Sequence, residues 1–146
     1  MISSDSIQSL KIGEVAHESG LPIKTIRYYD EIGLLAPMVE RSDAGYRLFK
    51  PDVLDRLAFI RHAQTLGLSL SEVKEILGVH DRGQLPCETV KQQIQDKVER
   101  ITEQIKHLEA LRHDLQAVLM QWQEDPPFAE STICPNLEAT KSVKAS

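Results

Sequence analysis

The chain is poor in cysteine and aromatics and has no excess of basic charge. Its two cysteines, Cys87 and Cys134, are too few for a disulfide scaffold and point to a reducing compartment. Aromatic residues make up only 5% of the 146 positions, and the formal net charge is −5. From Met1 to Pro86, ten Lys/Arg face twelve Asp/Glu, a net of −2. That balance excludes a broad basic field, so any affinity for nucleic acid must come from a few placed cations. No apolar run approaches the roughly 20 residues that cross a bilayer. Met1 to Leu10 lacks the charged-then-apolar order of a secretory signal. A cytoplasmic protein with no membrane partner is the expectation. A Gly-rich phosphate loop, an HExxH pair and a credible nucleophile–base pair are also missing, so no enzyme is expected.

What is present is helical periodicity broken by glycine. Ile12, Val15 and Ala16 fall at i, i+3 and i+4, and Gly20 closes that helix. A second helix is predicted over 23–32, stopped by Gly33. Two short helices joined through a glycine turn suggest a helix-turn-helix, although an ordinary helical corner has the same pattern. The next stretch changes character. Leu34 to Pro37 and Tyr46 to Phe49 read as two extended runs around a polar, turn-rich centre, Arg41 to Gly45. A hairpin in that place is a wing. Alternation puts Arg47 on the face opposite Tyr46 and Leu48.

Pro51 is placed to open a longer helix carrying Val53, Leu54, Leu57, Ile60 and Ala63 on one stripe, ended by Gly67. Ser69 or Ser71 caps the next helix, whose Val73, Ile76 and Leu77 share a face. Gly78 and Gly83 read as opening a linker to Pro86. From Cys87 to Gln123 there is neither glycine nor proline. Apolar residues recur there at Val90, Ile94, Val98, Ile101, Ile105, Leu108, Leu111, Leu115, Val118 and Trp122, a mean step of about 3.6. One narrow apolar seam on a charged helix asks for a partner, most economically a second copy. Consecutive 4-4 and 3-3 steps in this set argue against a long uniform supercoil. The alternative is that the helix folds back on the N-terminal half, which about 55 Å of helix would outrun. Pro126-Pro127 stops it, Pro135 offers the start of a short helical turn, and Lys141 to Ser146 reads as a frayed end. The expected fold is mainly α. A winged helix-turn-helix spans 10–80, a dimerisation helix 86–123, and an effector loop and flexible tail 124–146.

Five segments together resemble the MerR family of bacterial transcription regulators, and within it the heavy-metal-responsive branch. They are Ile12-Gly13-Glu14-Val15-Ala16, Thr25-Ile26-Arg27-Tyr28-Tyr29-Asp30, Gly33-Leu34-Leu35, Gly45-Tyr46-Arg47-Leu48-Phe49 and Leu66-Gly67-Leu68-Ser69-Leu70. The resemblance covers about residues 11 to 123. It implies a homodimer in which the long helices pair as an antiparallel coiled coil. It also implies binding to an inverted repeat in double-stranded promoter DNA with an over-long spacer, which the regulator untwists for RNA polymerase when its signal arrives.

The residue chemistry suits that role. The second helix would enter the major groove, presenting Lys24, Thr25, Arg27 and Tyr28, while Ile26 and Tyr29 face the core. Arg27 suits a guanine edge or a phosphate equally. Tyr46 and Arg47 of the wing, with Arg41 and Lys50 nearby, would follow the backbone, and Arg61 of the third helix could join them. Distorting DNA costs several kcal/mol, so contacts on both sides of the distorted steps are required, and two wings supply them.

Cys87 directly follows Pro86, and Cys134 directly precedes Pro135. Starts of helices favour thiolates, which bind soft metals and react with oxidants. In the antiparallel dimer that the resemblance implies, Cys87 of one subunit would meet Cys134 of the other, holding a divalent soft or borderline ion such as Zn, Cd, Pb or Hg. The chain departs from the branch in having no further cysteine near Trp122 to Asp125. Two thiolates are sparse for tetrahedral zinc without added ligands; Glu124, Asp125, His80 or His113 could contribute one, but no motif singles any of them out, and His80 and His113 read mainly as solvated residues. Three alternatives stay open: a thiol-redox or small-ligand trigger, cysteines that are merely small buried hydrophobes, and a structural DNA-binding module without a regulatory role.

Overall fold

The structure is a computed structural model and describes residues 9–140. The segment read as a frayed end, Lys141 to Ser146, lies outside the described residues. The elements in order are β1 (Leu10–Lys11), α1 (Ile12–Ser19), α2 (Ile23–Glu31), a 3-10 turn (Ala36–Met38), β2 (Val39–Arg41), β3 (Arg47–Phe49), α3 (Val53–Thr65), α4 (Leu70–Asp81), α5 (Cys87–Met120) and α6 (Pro135–Glu138). They form two compact units, one up to Gln95 and one from Asp96 onward.

In the first unit, four helices and a small sheet enclose one apolar core. Val15 of α1, Ile26 and Tyr29 of α2, Phe49 of β3, Val53, Leu57 and Ile60 of α3, and Val73 and Ile76 of α4 all turn into it. Glycine sets the corners. Gly20, with φ +75, ends α1, and its N–H donates to the Ala16 carbonyl. Gly33, with φ +88, follows the end of α2. Ser69 is the cap of α4: its hydroxyl accepts from the Glu72 N–H at 3.1 Å, and the Glu72 carboxylate accepts from the Ser69 N–H at 2.8 Å.

The sheet has three strands in the order β1-β3-β2, all antiparallel. Val39 faces Phe49 and Arg41 faces Arg47 across the wing, and Leu10 faces Phe49 on the other side. Three sequence expectations change here. The first wing strand begins at Val39, because Leu34 and Leu35 are wholly buried core plugs in a turn rather than an extended run. A strand at Leu10–Lys11 was not foreseen, since two residues carry no period. Gly78 lies inside α4, which continues to Asp81, so the linker opens only at Gly83, with φ +83.

Arg56 is the one charged side chain buried among these core residues. Its Nε donates to the Leu34 carbonyl at 2.6 Å, and its two terminal nitrogens donate to the Asp81 carboxylate at 2.8 and 2.9 Å. It therefore ties the turn after α2 to the end of α4. Gln93, also buried, joins the start of α5 to α4 through bonds to the Glu72 carbonyl and the Glu75 carboxylate.

In the second unit, the rest of α5 carries its apolar seam uncovered, and the helix ends at Met120, three residues earlier than predicted. Pro135 is the first residue of α6, as its position suggested. Asn136 pins this short helix, accepting from the Gln123 N–H at 2.8 Å and donating to the Gln123 carbonyl at 3.0 Å.

Candidate nucleic-acid interface

The sequence of α2 divides its residues by face. Ile26 is fully buried and Tyr29 nearly so, which turns Lys24, Arg27 and Tyr28 outward, with Thr25 half-buried. Burial pushes the Tyr29 phenol above its ordinary range, so it stays protonated and donates to Gln64 Oε1 at 3.1 Å. Tyr29 is thus a core anchor and Tyr28 a surface residue, as their places in the pattern indicate. No side-chain cap covers the start of α2, where Pro22 stands at the N-cap.

The wing is built from its own turn. The Ser42 hydroxyl accepts from the Tyr46 N–H at 3.2 Å, and Gly45, with φ +91, donates to the Ser42 carbonyl. Arg41 is exposed, and its guanidinium donates to the Gly45 carbonyl at 2.9 Å, bracing the hairpin tip. Tyr46 is exposed, and the Lys11 ammonium sits 5.4 Å from its ring centroid. Arg47 is half-buried, and its Nε donates to Asp30 Oδ2 at 2.7 Å. Wing and second helix are therefore joined by an ion pair. Arg61 is exposed and donates to the Ser19 carbonyl at 3.0 Å, closing the end of α1.

The structure thus brings Lys24, Arg27 and Tyr28 onto one helix face and links Arg47 to that helix. Arg41 and Arg61 each have an intramolecular partner. Two participants were not singled out from sequence. Asp30 has no motif that predicts its pairing with Arg47, seventeen residues away, and Lys11 belongs to the unforeseen strand.

The two cysteines are free. Cys87, in the first turn of α5, is exposed in the single chain. Cys134 is partly exposed at the N-cap of α6, where its own N–H and that of Ile133 donate to the Glu138 carboxylate at 2.8 and 2.7 Å. Among the described residues of a single chain, no three His, Cys, Asp or Glu side chains gather as a metal site.

A helix-turn-helix followed by a three-stranded wing, with polar reach on one helix face, defines a DNA-binding transcription regulator. The chain belongs to the MerR family: residues 10–78 match the model for MerR HTH family regulatory proteins, and residues 54–118 match the MerR DNA-binding model. The mercuric resistance operon regulatory protein of Bacillus cereus is 35% identical over 128 residues, covering 88% of this chain and 94% of that protein. The transcription regulator PbrR691 from Ralstonia metallidurans, solved in complex with lead(II), superposes with a TM-score of 0.71 at 27% identity, over 89% of this chain and 98% of that one. HiNmlR, a MerR family regulator lacking the sensor domain and solved bound to promoter DNA, superposes with a TM-score of 0.52 at 25% identity, over 77% and 84%. Among the described residues, no helix is long and apolar enough to cross a membrane.

Proposed function

We propose that the protein is a metal-responsive promoter regulator that acts as a homodimer on an inverted repeat. The second helix of each subunit reads the major groove through Lys24, Thr25, Arg27 and Tyr28. Tyr46, Arg47 and Arg41 of the wing, with Arg61, follow the phosphate backbone. The observation that carries this reading is the division of α2. Its outward Lys24, Arg27 and Tyr28 oppose the buried Ile26 and Tyr29, and Arg47 is tied to the same helix through Asp30. The dimer rests on the uncovered apolar seam of α5.

Cys87 of one subunit and Cys134 of its partner are the thiols suited to hold a soft or borderline divalent ion. The relatives named for mercuric resistance and solved with lead(II) support that class of ligand. Such an ion would cross-link the two subunits through thiolates that soft metals prefer. The two thiolates so shared would need further oxygen or nitrogen donors to reach a tetrahedral set. Binding would then bias the dimer toward the form that untwists the promoter for RNA polymerase.

The test joins gel shift with run-off transcription. Arg27→Ala is expected to abolish promoter binding while leaving the dimer intact by sedimentation. The unmodified protein is expected to activate run-off transcription on addition of Zn, Cd, Pb or Hg salts. Unchanged binding by Arg27→Ala would overturn the helix assignment, and transcription indifferent to every ion would overturn the metal reading.

A further inference from the structure

Asp52, Asp55, Arg56 and Phe59 fall at i, i+3, i+4 and i+7, so they share one face of α3 and its N-cap. With Ile76, Leu77 and His80 of α4 they line a cavity of about 350 Å³. Every lining residue belongs to the first compact unit. The lining includes none of the proposed DNA contacts and neither cysteine. The cavity is therefore a separate feature of the DNA-binding unit. It lies at the small end of the range for ligand sites, about 300–1,000 Å³.

The lining divides by chemistry. Ile76 and Leu77 are buried in the core behind it, Met38 and Pro86 add half-buried apolar surface, and Phe59 is 37% exposed. Asp52, Asp55 and His80 are exposed at its rim. Neither the Asp52 nor the Asp55 carboxylate has an ion-pair or hydrogen-bond partner among the described residues. Arg56 also reaches the cavity, but its guanidinium is committed to the Leu34 carbonyl and the Asp81 carboxylate. Asp81 thus matches the Arg56 charge, and two carboxylates stay unmatched. The start of α3 contributes about half a positive charge, which they outnumber. An anion meets net repulsion here, and a neutral apolar molecule gains burial alone. A compact organic cation gains burial, charge attraction and an aromatic surface together.

We infer that this cavity is a binding site for a compact organic cation of the quaternary-ammonium class. Its charged head is held by Asp52 and Asp55, and its apolar part packs on Phe59, Met38 and Leu77. A quaternary nitrogen has no N–H to leave unpaired, so it suits a lining of hydrocarbon, aromatic surface and carboxylates. The site goes beyond the metal reading, since it needs neither thiol. Two of its residues also hold the reading helix and the wing. Arg56 donates to the Leu34 carbonyl after α2, and the Met38 carbonyl accepts from the Lys50 N–H at 2.9 Å. A bound cation therefore bears on joints of the DNA-binding unit without passing through the cysteines.

The probes are benzyltrimethylammonium and benzylsulfonate, alike in size and opposite in charge. Each is titrated into the isotope-labelled full-length protein, without DNA or metal, and followed by amide NMR. The cation is expected to give saturable shifts in α3 and α4 around Phe59 and Leu77, and the anion to give none. Asp52→Asn with Asp55→Asn should weaken the cation about tenfold, the combined effect of two exposed charges. Both acids are exposed and unpaired, so this variant should keep the spectrum of the folded chain. Phe59→Leu keeps apolar volume but removes the ring, and should weaken the cation about threefold. Cys87→Ser with Cys134→Ser should bind it unchanged. Equal binding of both probes, no saturable shift in α3 and α4, or unaltered affinity in the Asp52→Asn, Asp55→Asn protein would each overturn the site. Loss of binding in the cysteine variant would overturn its independence of the thiols.

Discussion

Arg47 on the second wing strand and Asp30 near the end of α2 form an ion pair at 2.7 Å, with side chains only 16% and 17% exposed. The pair fastens the wing to the helix that carries Arg27. A guanidinium has five N–H donors, so one taken by Asp30 leaves Arg47 able to meet a phosphate as well. In the proposed complex, Asp30 would restrict the arginine before DNA arrives and so reduce the ordering cost on binding.

The two residues should therefore fail in different ways. If Arg47 meets a phosphate as proposed, Arg47→Ala removes that contact, and the slope of log affinity against log salt should fall by about 1. Asp30→Asn keeps the cation but loosens its placement, so affinity should fall about tenfold with the slope unchanged. Anisotropy titrations across salt concentrations separate these outcomes. An Asp30→Asn protein with unaltered affinity would show that the ion pair does not prepare the wing.

A second ion pair sets acid stability. The Arg56 guanidinium beside Asp81 holds the Asp81 carboxyl below the ordinary carboxylate range, chiefly through their hydrogen bonds. The folded state thus binds this proton more weakly than the unfolded state. The resulting stability is fully present above the ordinary carboxylate range and is lost as pH falls through the depressed value. Urea denaturation between pH 7 and pH 3 should show Asp81→Asn flattening the acid limb. Arg56→Ala should cost about 3 kcal/mol at pH 7, because it leaves the buried Leu34 carbonyl without its donor and Asp81 without its cation. An Arg56→Ala protein of unchanged stability would remove the pair from any structural role.

Much of the fold was legible because its signals are local. Gly20, Gly33 and Gly67 mark helix ends through a backbone conformation that other residues resist, and all three have positive φ. The separation of Ile26 and Tyr29 from Arg27 and Tyr28 follows from helical period alone. What stayed hidden depends on distant partners. Leu10 and Lys11 become a strand only because Phe49 and Leu48 stand opposite them. Leu34-Leu35 looks like a short strand, yet the core that swallows it comes from other elements. Gly78 looks like a helix end, but the packing of Ile76 and Leu77 and the Arg56–Asp81 bond carry α4 past it. Asp30 was invisible as a wing anchor for the same reason.

The buried turn offers its own measurement. Leu34 is fully buried in the turn between α2 and the wing. Leu34→Ala should destabilise the protein by about 3 kcal/mol through lost burial and a residual cavity. If the residue were part of an exposed hairpin arm, as its sequence context suggests, the loss would stay near 0.5 kcal/mol. Thermal denaturation distinguishes the two.

The cysteines allow a test that depends on their being shared between subunits. Cys87→Ser and Cys134→Ser should each abolish metal-induced transcription while leaving DNA binding without metal unchanged, since neither cysteine lies on the α2 face or in the wing. Refolding the two variants together yields mixed dimers. If the ion joins Cys87 of one subunit to Cys134 of the other, a mixed dimer contains one intact thiol pair and one dead pair. About half of the dimers then regain a site, and metal-dependent transcription should return in part. If each site were built within one chain, every chain in the mixture would be defective and no response would return. Restoration that also occurred with either variant alone would remove both thiols from sensing, and the protein would respond through some other group.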